Sequence, residues 1–220
     1  MRHVVFCMPG APTLNAARSW DALRNAVAEA NVHMTIVRGY NSSVAHARNE
    51  ILEVGVKGLK KDALPFGGME YDFMMWIDSD SVYEPHDFFN LLALDREIVT
   101  GLVPVDTEGR GALGLFNGFK NVKYLNLHAI RQTAAVFPVD FCGFAFLLVK
   151  RGVFEVIGYP WFDLGYFTID DHVILPGEDF RWCMNVKEKG FEILAHPGVR
   201  IGHDKRMILE VPGPLAEGPS

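Results

Sequence analysis

With 220 residues, 49% of them hydrophobic and 22% charged, the chain is long and apolar enough to bury one sizeable core. A formal net charge of -6 argues against a broad nucleic-acid footprint, which needs a clustered basic face. Three cysteines far apart in sequence, with no CxxC pair, point to reduced thiols in a cytosolic compartment rather than a disulfide framework or a zinc site.

Residues 4–8, VVFCM, predict a buried first strand closed by the turn former PGAPT. That apolar run is too short for a signal peptide, and the longest later one, 141–149, falls well below a membrane span. The expectation is a soluble cytoplasmic protein, in a host cytoplasm if phage-encoded. Residues 15–30 predict a helix, because Ala17, Trp20, Leu23 and Val27 recur at helical spacing. A second strand is expected over 32–40. A second helix is expected over 41–58, with Ser42 or Ser43 as N-cap and Gly58 near its stop. A third strand over 71–77, a short helix opened by Pro85 and a fourth strand over 97–103 complete the first half.

Strand alternating with helix predicts a parallel sheet covered on both faces, with ligands gathering at the carboxyl ends of the strands. The stretch GRGALGLFNGFKNVKYLNL is Gly-rich and alternates apolar with polar residues, which suits an antiparallel hairpin or flap. Residues 137–157 read as a buried strand running into a short helix. Residues 175–203 read as a loop, a helix over about 178–189, a strand, and a short strand ending at His203. The Pro- and Gly-containing end predicts little structure of its own. The expected organisation is one α/β domain over 1–204 and a tail over 205–220.

Four places carry residues with chemistry. In MMWIDSDSVYEP an apolar strand ends in Asp78, Ser79 and Asp80. Two like charges one residue apart are unfavourable, and a shared Mg²⁺ or Mn²⁺ that also takes diphosphate oxygens is one resolution; a plain turn is the other reading. In GEDFRWC, Glu178 and Asp179 open a helix, where acids either compensate the dipole or serve a site. In RIGHDKR, His203 follows a short apolar strand and is either a metal ligand or structural. Arg48 on the second helix suits bidentate contact to phosphate or carboxylate, or a solvated face. Three weaker candidates follow. Gly143 would let a sugar or acceptor approach the backbone or mark a bulge, and Asp140 would contact sugar or acceptor. Trp161, with Phe162, would form an aromatic acceptor platform or pack in the core.

Taken in order, IDSDSVYEPHDFFNLL, IVTGLVPV, VDFCGFAFLLVKRGVFEVIG, YPWF and PGEDFRWCMNVKEKGFEILAHPGVRIGH resemble GT-A-fold glycosyltransferases. The nearest are the small single-domain phage and bacterial versions of the family 2 type. The resemblance covers residues 4–203. It implies a Rossmann-like, mostly parallel sheet with a small antiparallel flap. It implies that Asp78 and Asp80 bind a nucleotide-sugar diphosphate through Mn²⁺ or Mg²⁺, with Asp80 the direct ligand and His203 completing the site. It makes Asp179 the catalytic base with Glu178 beside it. Pro9, Gly10, Ala11 and Ser79 would cradle the nucleotide, and Arg48 would approach the nucleotide or diphosphate.

The implied activity is inverting transfer from a nucleotide-sugar, a UDP-sugar being favoured, to a hydroxyl. The acceptor would be a glycan, a small molecule or a hydroxymethylated base of phage DNA, the last reached only unpaired or flipped. MPGAPTLN departs from the family's usual first loop, which carries an acidic residue, so base recognition is left open. A nucleotidyltransferase of similar fold is the alternative enzyme, but this loop has one Gly and no Lys or Arg before Arg18. A catalytically inactive nucleotide-sugar-binding module is the non-enzymatic alternative.

Overall fold

The apolar run near the start of the chain becomes β1 (Arg2–Pro9), whose last six residues are buried. The structure is a computed structural model and describes residues 1–116, 122–132, 134–169 and 172–205. After β1 come α1 (Leu14–Glu29), β2 (Val32–Gly39), α2 (Val44–Glu53), β3 (Phe73–Ile77), β4 (Ser81–Val82), α3 (Pro85–Ala93) and β5 (Ile98–Leu102). The second half adds β6 (Arg110–Phe116), β7 (Val122–Asn126), β8 (Phe137–Val139), β9 (Phe141–Cys142), β10 (Phe146–Lys150) and α4 (Val153–Ile157). It ends with β11 (Phe167–Ile169), β12 (His172–Ile174), α5 (Glu178–Glu188), β13 (Ile193–Arg200) and β14 (Gly202–His203).

Among the described residues a seven-stranded sheet runs in the order β2-β1-β3-β10-β5-β13-β8. β1, β2 and β3 are parallel, and β5 and β13 run the same way. β10 lies antiparallel between β3 and β5, and β8 antiparallel on β13. Smaller antiparallel sheets are β7-β6-β9, β11-β12 and β14-β4. The class is α/β, with a mostly parallel sheet, flanking helices and an antiparallel flap.

The period-two alternation of the strands divides the core into two layers. Val5, Cys7, Met74 and Trp76 face one way, toward Ile51 and Leu52 of α2 and Trp182 and Val186 of α5. Val4, Phe6, Phe73 and Met75 face the other way, toward Trp20 and Leu23 of α1 and Phe88 and Leu91 of α3. Strands buried on both faces read as continuous apolar runs, which is why β1 and β3 stand out in the sequence.

Three expectations need correction. The second helix stops at Glu53, not near Gly58, because Val54 turns extended and Gly55 takes φ 79°. The sheet expected to be parallel carries an antiparallel strand in its middle, since β10 is inserted between the third and fourth strands of the sequence reading. Residues 137–150 form three strands, not one. β9 leaves to pair with β6 and β10 joins the central sheet, with Gly143 to Ala145 making the break. Of the expected tail, residues 206–220 lie outside the described residues.

Gly39 shows how tightly α2 is set. It ends β2, and its carbonyl accepts the Gly10 N–H at 2.8 Å. A Cβ there would collide with the Ala47 carbonyl oxygen and lie 2.9 Å from Ile51 Cγ1. Gly39→Ala is therefore expected to cost about 1–3 kcal/mol, the usual range for overpacking. The urea midpoint should fall at unchanged slope; an unaltered midpoint would show that α2 shifts without cost.

Candidate functional site

The loop after β3 is pinned from two sides. The Asp78 N–H donates to the Ala145 carbonyl at 3.2 Å, and the Ser81 hydroxyl donates to the same oxygen at 2.8 Å. From the loop after β1, the Thr13 N–H donates to the Ser79 carbonyl at 2.8 Å. Gly10, at φ 81°, lets that loop come close: a Cβ there would sit 3.0 Å from Ser79 Oγ. Pro9, Gly10, Ser79, Asp80 and His203 thus border one cleft of about 320 Å³. Ala11 is exposed and does not line it. Asn41 and Ser42 do, although the sequence reading gave them no binding role. Their signal was available: a polar cluster directly after a parallel strand.

The two aspartates have different protein partners. Asp78 accepts from Arg48 Nη2 at 3.0 and 3.3 Å, while Arg48 Nη1 donates to Glu178 Oε1 at 2.5 Å. Arg48 is only 3% exposed, and its guanidinium lies 4.8 Å from the Phe144 ring centroid, a cation–π distance. Burial alone would lower its pKa; Asp78 and Glu178 reverse this and hold it above the ordinary value. The solvated-face reading of Arg48 is therefore corrected: the side chain is buried, and both Nη groups donate to carboxylates. Beside it, Asn49 clasps the backbone of Phe162, donating to the carbonyl at 2.8 Å and accepting the N–H at 3.1 Å.

Asp80 has a different partner. His203 Nε2 lies 2.8 Å from Asp80 Oδ2, and His203 Nδ1 lies 3.0 Å from the Pro104 carbonyl. A carbonyl only accepts, so Nδ1 carries a proton. An ionised carboxylate also only accepts, so in this tautomer Nε2 faces Asp80 Oδ2 as a second electron-pair donor. Among the described residues no group of three or more His, Cys, Asp or Glu converges on one ion. Of the expected set Asp78, Asp80 and His203, Asp78 is turned toward Arg48, while the Asp80 and His203 side chains touch. That pair still suits Mg²⁺ or Mn²⁺, which keep most of their coordination shell for waters and phosphate oxygens.

The third group stands at the start of α5. Glu178 is held by Arg48, whereas Asp179 accepts the Phe180 N–H at 2.7 Å. Burial pushes the Asp179 carboxyl above the ordinary carboxylate range; Glu178 and Asp78 add to this, and Arg48 and the Phe180 N–H oppose it. Asp179 borders a second cleft of about 440 Å³ with Ala112, Tyr124, Phe141, Gly143 and Phe180. Gly143 lies in ordinary contact range, 3.8 Å from Asp179 Oδ2 to the Cβ position it leaves vacant. The Tyr124, Phe141 and Phe180 rings carried no sequence signal for a site, because their convergence is made by the flap folding onto α5.

Two weaker candidates move elsewhere. Asp140 accepts the Phe116 N–H at 2.6 Å and pairs with Lys187. Burial would raise its pKa, but these two contacts hold it below the carboxylate range. It ties the flap to α5 and does not line the Asp179 cleft. Trp161 and Phe162 are 0% and 2% exposed and pack in the core, so they form no surface platform.

The chain matches no protein-family model and no curated protein. Solved structures do share its fold. A197 from STIV aligns with a TM-score of 0.52 at 16% identity, over 98% of this chain and 100% of that one. The glycosyltransferase GalNAc-T7, solved with UDP, GalNAc and Mn²⁺, aligns with a TM-score of 0.56 at 13% identity, over 94% of this chain. This chain spans 44% of that one. At these identities the likeness shows the architecture, and the architecture is GT-A-like.

Proposed function

We propose that the chain is a divalent-metal-dependent glycosyltransferase that moves a sugar from a nucleotide-sugar to an acceptor hydroxyl with inversion. The observation that carries this reading is one guanidinium joining two clefts. Arg48 ties Asp78, beside the Asp80–His203 pair, to Glu178, beside Asp179. GalNAc-T7 is a structure with UDP, GalNAc and Mn²⁺, which supports a UDP-sugar and a divalent cation as the first ligands to try.

In this reading Pro9, Gly10 and Ser79 receive the nucleotide. Asp80 Oδ2 and His203 Nε2 would hold the cation, with the Nδ1–H on the Pro104 carbonyl fixing the ring. A bound cation supplies charge stabilisation to the departing diphosphate. Asp179 takes the proton of the acceptor hydroxyl as its oxygen bonds to the anomeric carbon. The bond from that carbon to the diphosphate breaks, and the electron pair leaves with the diphosphate. Glu178 is not the base, because Arg48 occupies it.

The test is a thermal-shift panel of UDP-, GDP-, dTDP- and CMP-sugars with Mn²⁺, Mg²⁺ or EDTA. A ligand at about 100 times its Kd stabilises the folded state by about 2.7 kcal/mol. A shift is expected only with one nucleotide-sugar and a divalent metal together, and Asp80→Ala should abolish it while the ligand-free melting point stays close to the parent's. A full shift in EDTA, or in Asp80→Ala, would sink the metal assignment. Among the described residues no helix is long and apolar enough to cross a membrane.

A further inference from the structure

Tyr124 belongs to two cavities at once. One is the cleft of about 440 Å³ that holds Asp179, and the other is a neighbouring cavity of about 470 Å³ lined by Asp106, Thr107, Glu108, Arg110 and Asn126. The ring is 47% exposed, yet it is braced. Arg110 stands over it at 5.5 Å from the centroid, and Phe141 meets it edge-on at 5.3 Å. A half-exposed aromatic held by its neighbours is a preformed platform that loses little freedom when a ligand stacks on it.

The chemistry of the two cavities differs in a useful way. Around Asp179 the lining is aromatic and aliphatic, and among the described lining residues Asp179 is the one that carries a charge. The outer cavity is polar. Arg110 Nε pairs with Asp106 Oδ2 at 3.0 Å, so the one cation among the described lining residues is already neutralised. Glu108, Thr107 and the Asn126 NH₂ remain to meet hydroxyl groups, Asn126 Oδ1 accepting the His128 N–H at 2.9 Å.

We infer that this pair of cavities is an acceptor groove for a neutral oligosaccharide of at least two sugar units. One unit would lie at Asp179 against the Tyr124 and Phe180 rings, and the next along Thr107, Glu108 and Asn126. A single small molecule would leave the outer cavity idle. A DNA strand would bring phosphates against Glu108, and among the described lining residues the one cation, Arg110, is already paired with Asp106. The inference rests on reading Asp179 as the base of the proposed transfer.

The experiment is a printed array of neutral and acidic glycans of one to six units, with a single-stranded oligonucleotide containing hydroxymethylated cytosine on the same slide. It is probed with the full chain, with Tyr124→Ala and with Tyr124→Phe. Retention is expected on neutral glycans of two or more units. It should weaken about tenfold or more in Tyr124→Ala, as for loss of an aromatic anchor, and persist in Tyr124→Phe. Retention on single sugars, on acidic glycans or on the oligonucleotide in preference, no retention on any glycan, or equal retention by Tyr124→Ala overturns the groove. The donor panel above is a separate readout. If it fails while the array behaves as expected, the transferase reading falls and a glycan-binding groove stands.

Discussion

Asp179→Asn is expected to lose about 10²–10⁴-fold in turnover, the usual worth of a general base, while becoming more stable at neutral pH. Both effects have one cause. Burial, with Glu178 and Asp78 nearby, holds the Asp179 carboxyl above its ordinary value in the folded chain. A base with a raised pKa accepts a proton from an acceptor hydroxyl more readily than an exposed carboxylate does. The same shift makes the ionised form a burden on the folded state.

The sign is fixed by proton counting. Between the unfolded and folded pKa values the folded chain binds the extra proton, so stability falls as pH rises through that window and stays reduced above it. Asparagine carries no charge to desolvate. The melting point of Asp179→Asn should therefore match the parent near pH 3.5, below the ordinary carboxylate value, and exceed it at pH 7.5. The acid limb of the parent's kcat profile should lie above the range of an exposed carboxylate. Melts at both pH values and a single-turnover assay check this. Turnover within threefold of the parent would move the base elsewhere; a lower melting point at pH 7.5 would show that Asn loses a contact worth more than the charge.

Arg48→Ala should cost about 3 kcal/mol of folding stability. Breaking a buried ion pair leaves uncompensated charge and typically costs about 3–5 kcal/mol. The low end applies because the Asp78 and Glu178 side chains keep 27% and 15% exposure. Arg48→Lys should recover only part of the loss. An ammonium is a point charge and cannot fork to two carboxylates as the guanidinium does while its carbon stands 4.8 Å from the Phe144 ring centroid. Combining Arg48→Met with Asp78→Asn and Glu178→Gln should restore most of the stability, since it removes all three charges together. Urea unfolding of the four proteins decides it. A loss under 1 kcal/mol in Arg48→Ala would mean that water already screens the cluster.

The parts of the fold legible in the sequence were those with a local cause. The run 73–77 is apolar on both faces, so a buried strand followed from it, and Pro85 marked the next helix at its first residue. The break at 143–145 and the insertion of β10 had no such cause. Which strand neighbours which depends on how distant segments close the sheet, and periodicity does not report that. The site divides in the same way. The closeness of Asp78 and Asp80 was visible, and so was its cost. The resolution was half visible: the resemblance already set His203 beside Asp80, 123 residues away, but the pairing of Asp78 with a buried Arg of α2, 30 residues away, had no local signal. A fully buried arginine is rare enough that a helix surface was the natural reading of Arg48.

The position of β10 also sets an order of events during synthesis. β3 and β5 lie on either side of it and do not pair with each other. When residue 102 has left the ribosome, both strands exist but the strand that joins them has not been made. At about 5–20 residues per second, the roughly 45 residues up to β10 take several seconds. Through that interval β3 and β5 each present an open, apolar hydrogen-bonding edge, the surface on which nascent chains aggregate. The first hundred residues are therefore half of a sheet rather than a unit that folds ahead of the rest. The chain commits to its native state only when its own middle arrives, and a nascent-chain chaperone has its clearest point of action on this protein between those two moments.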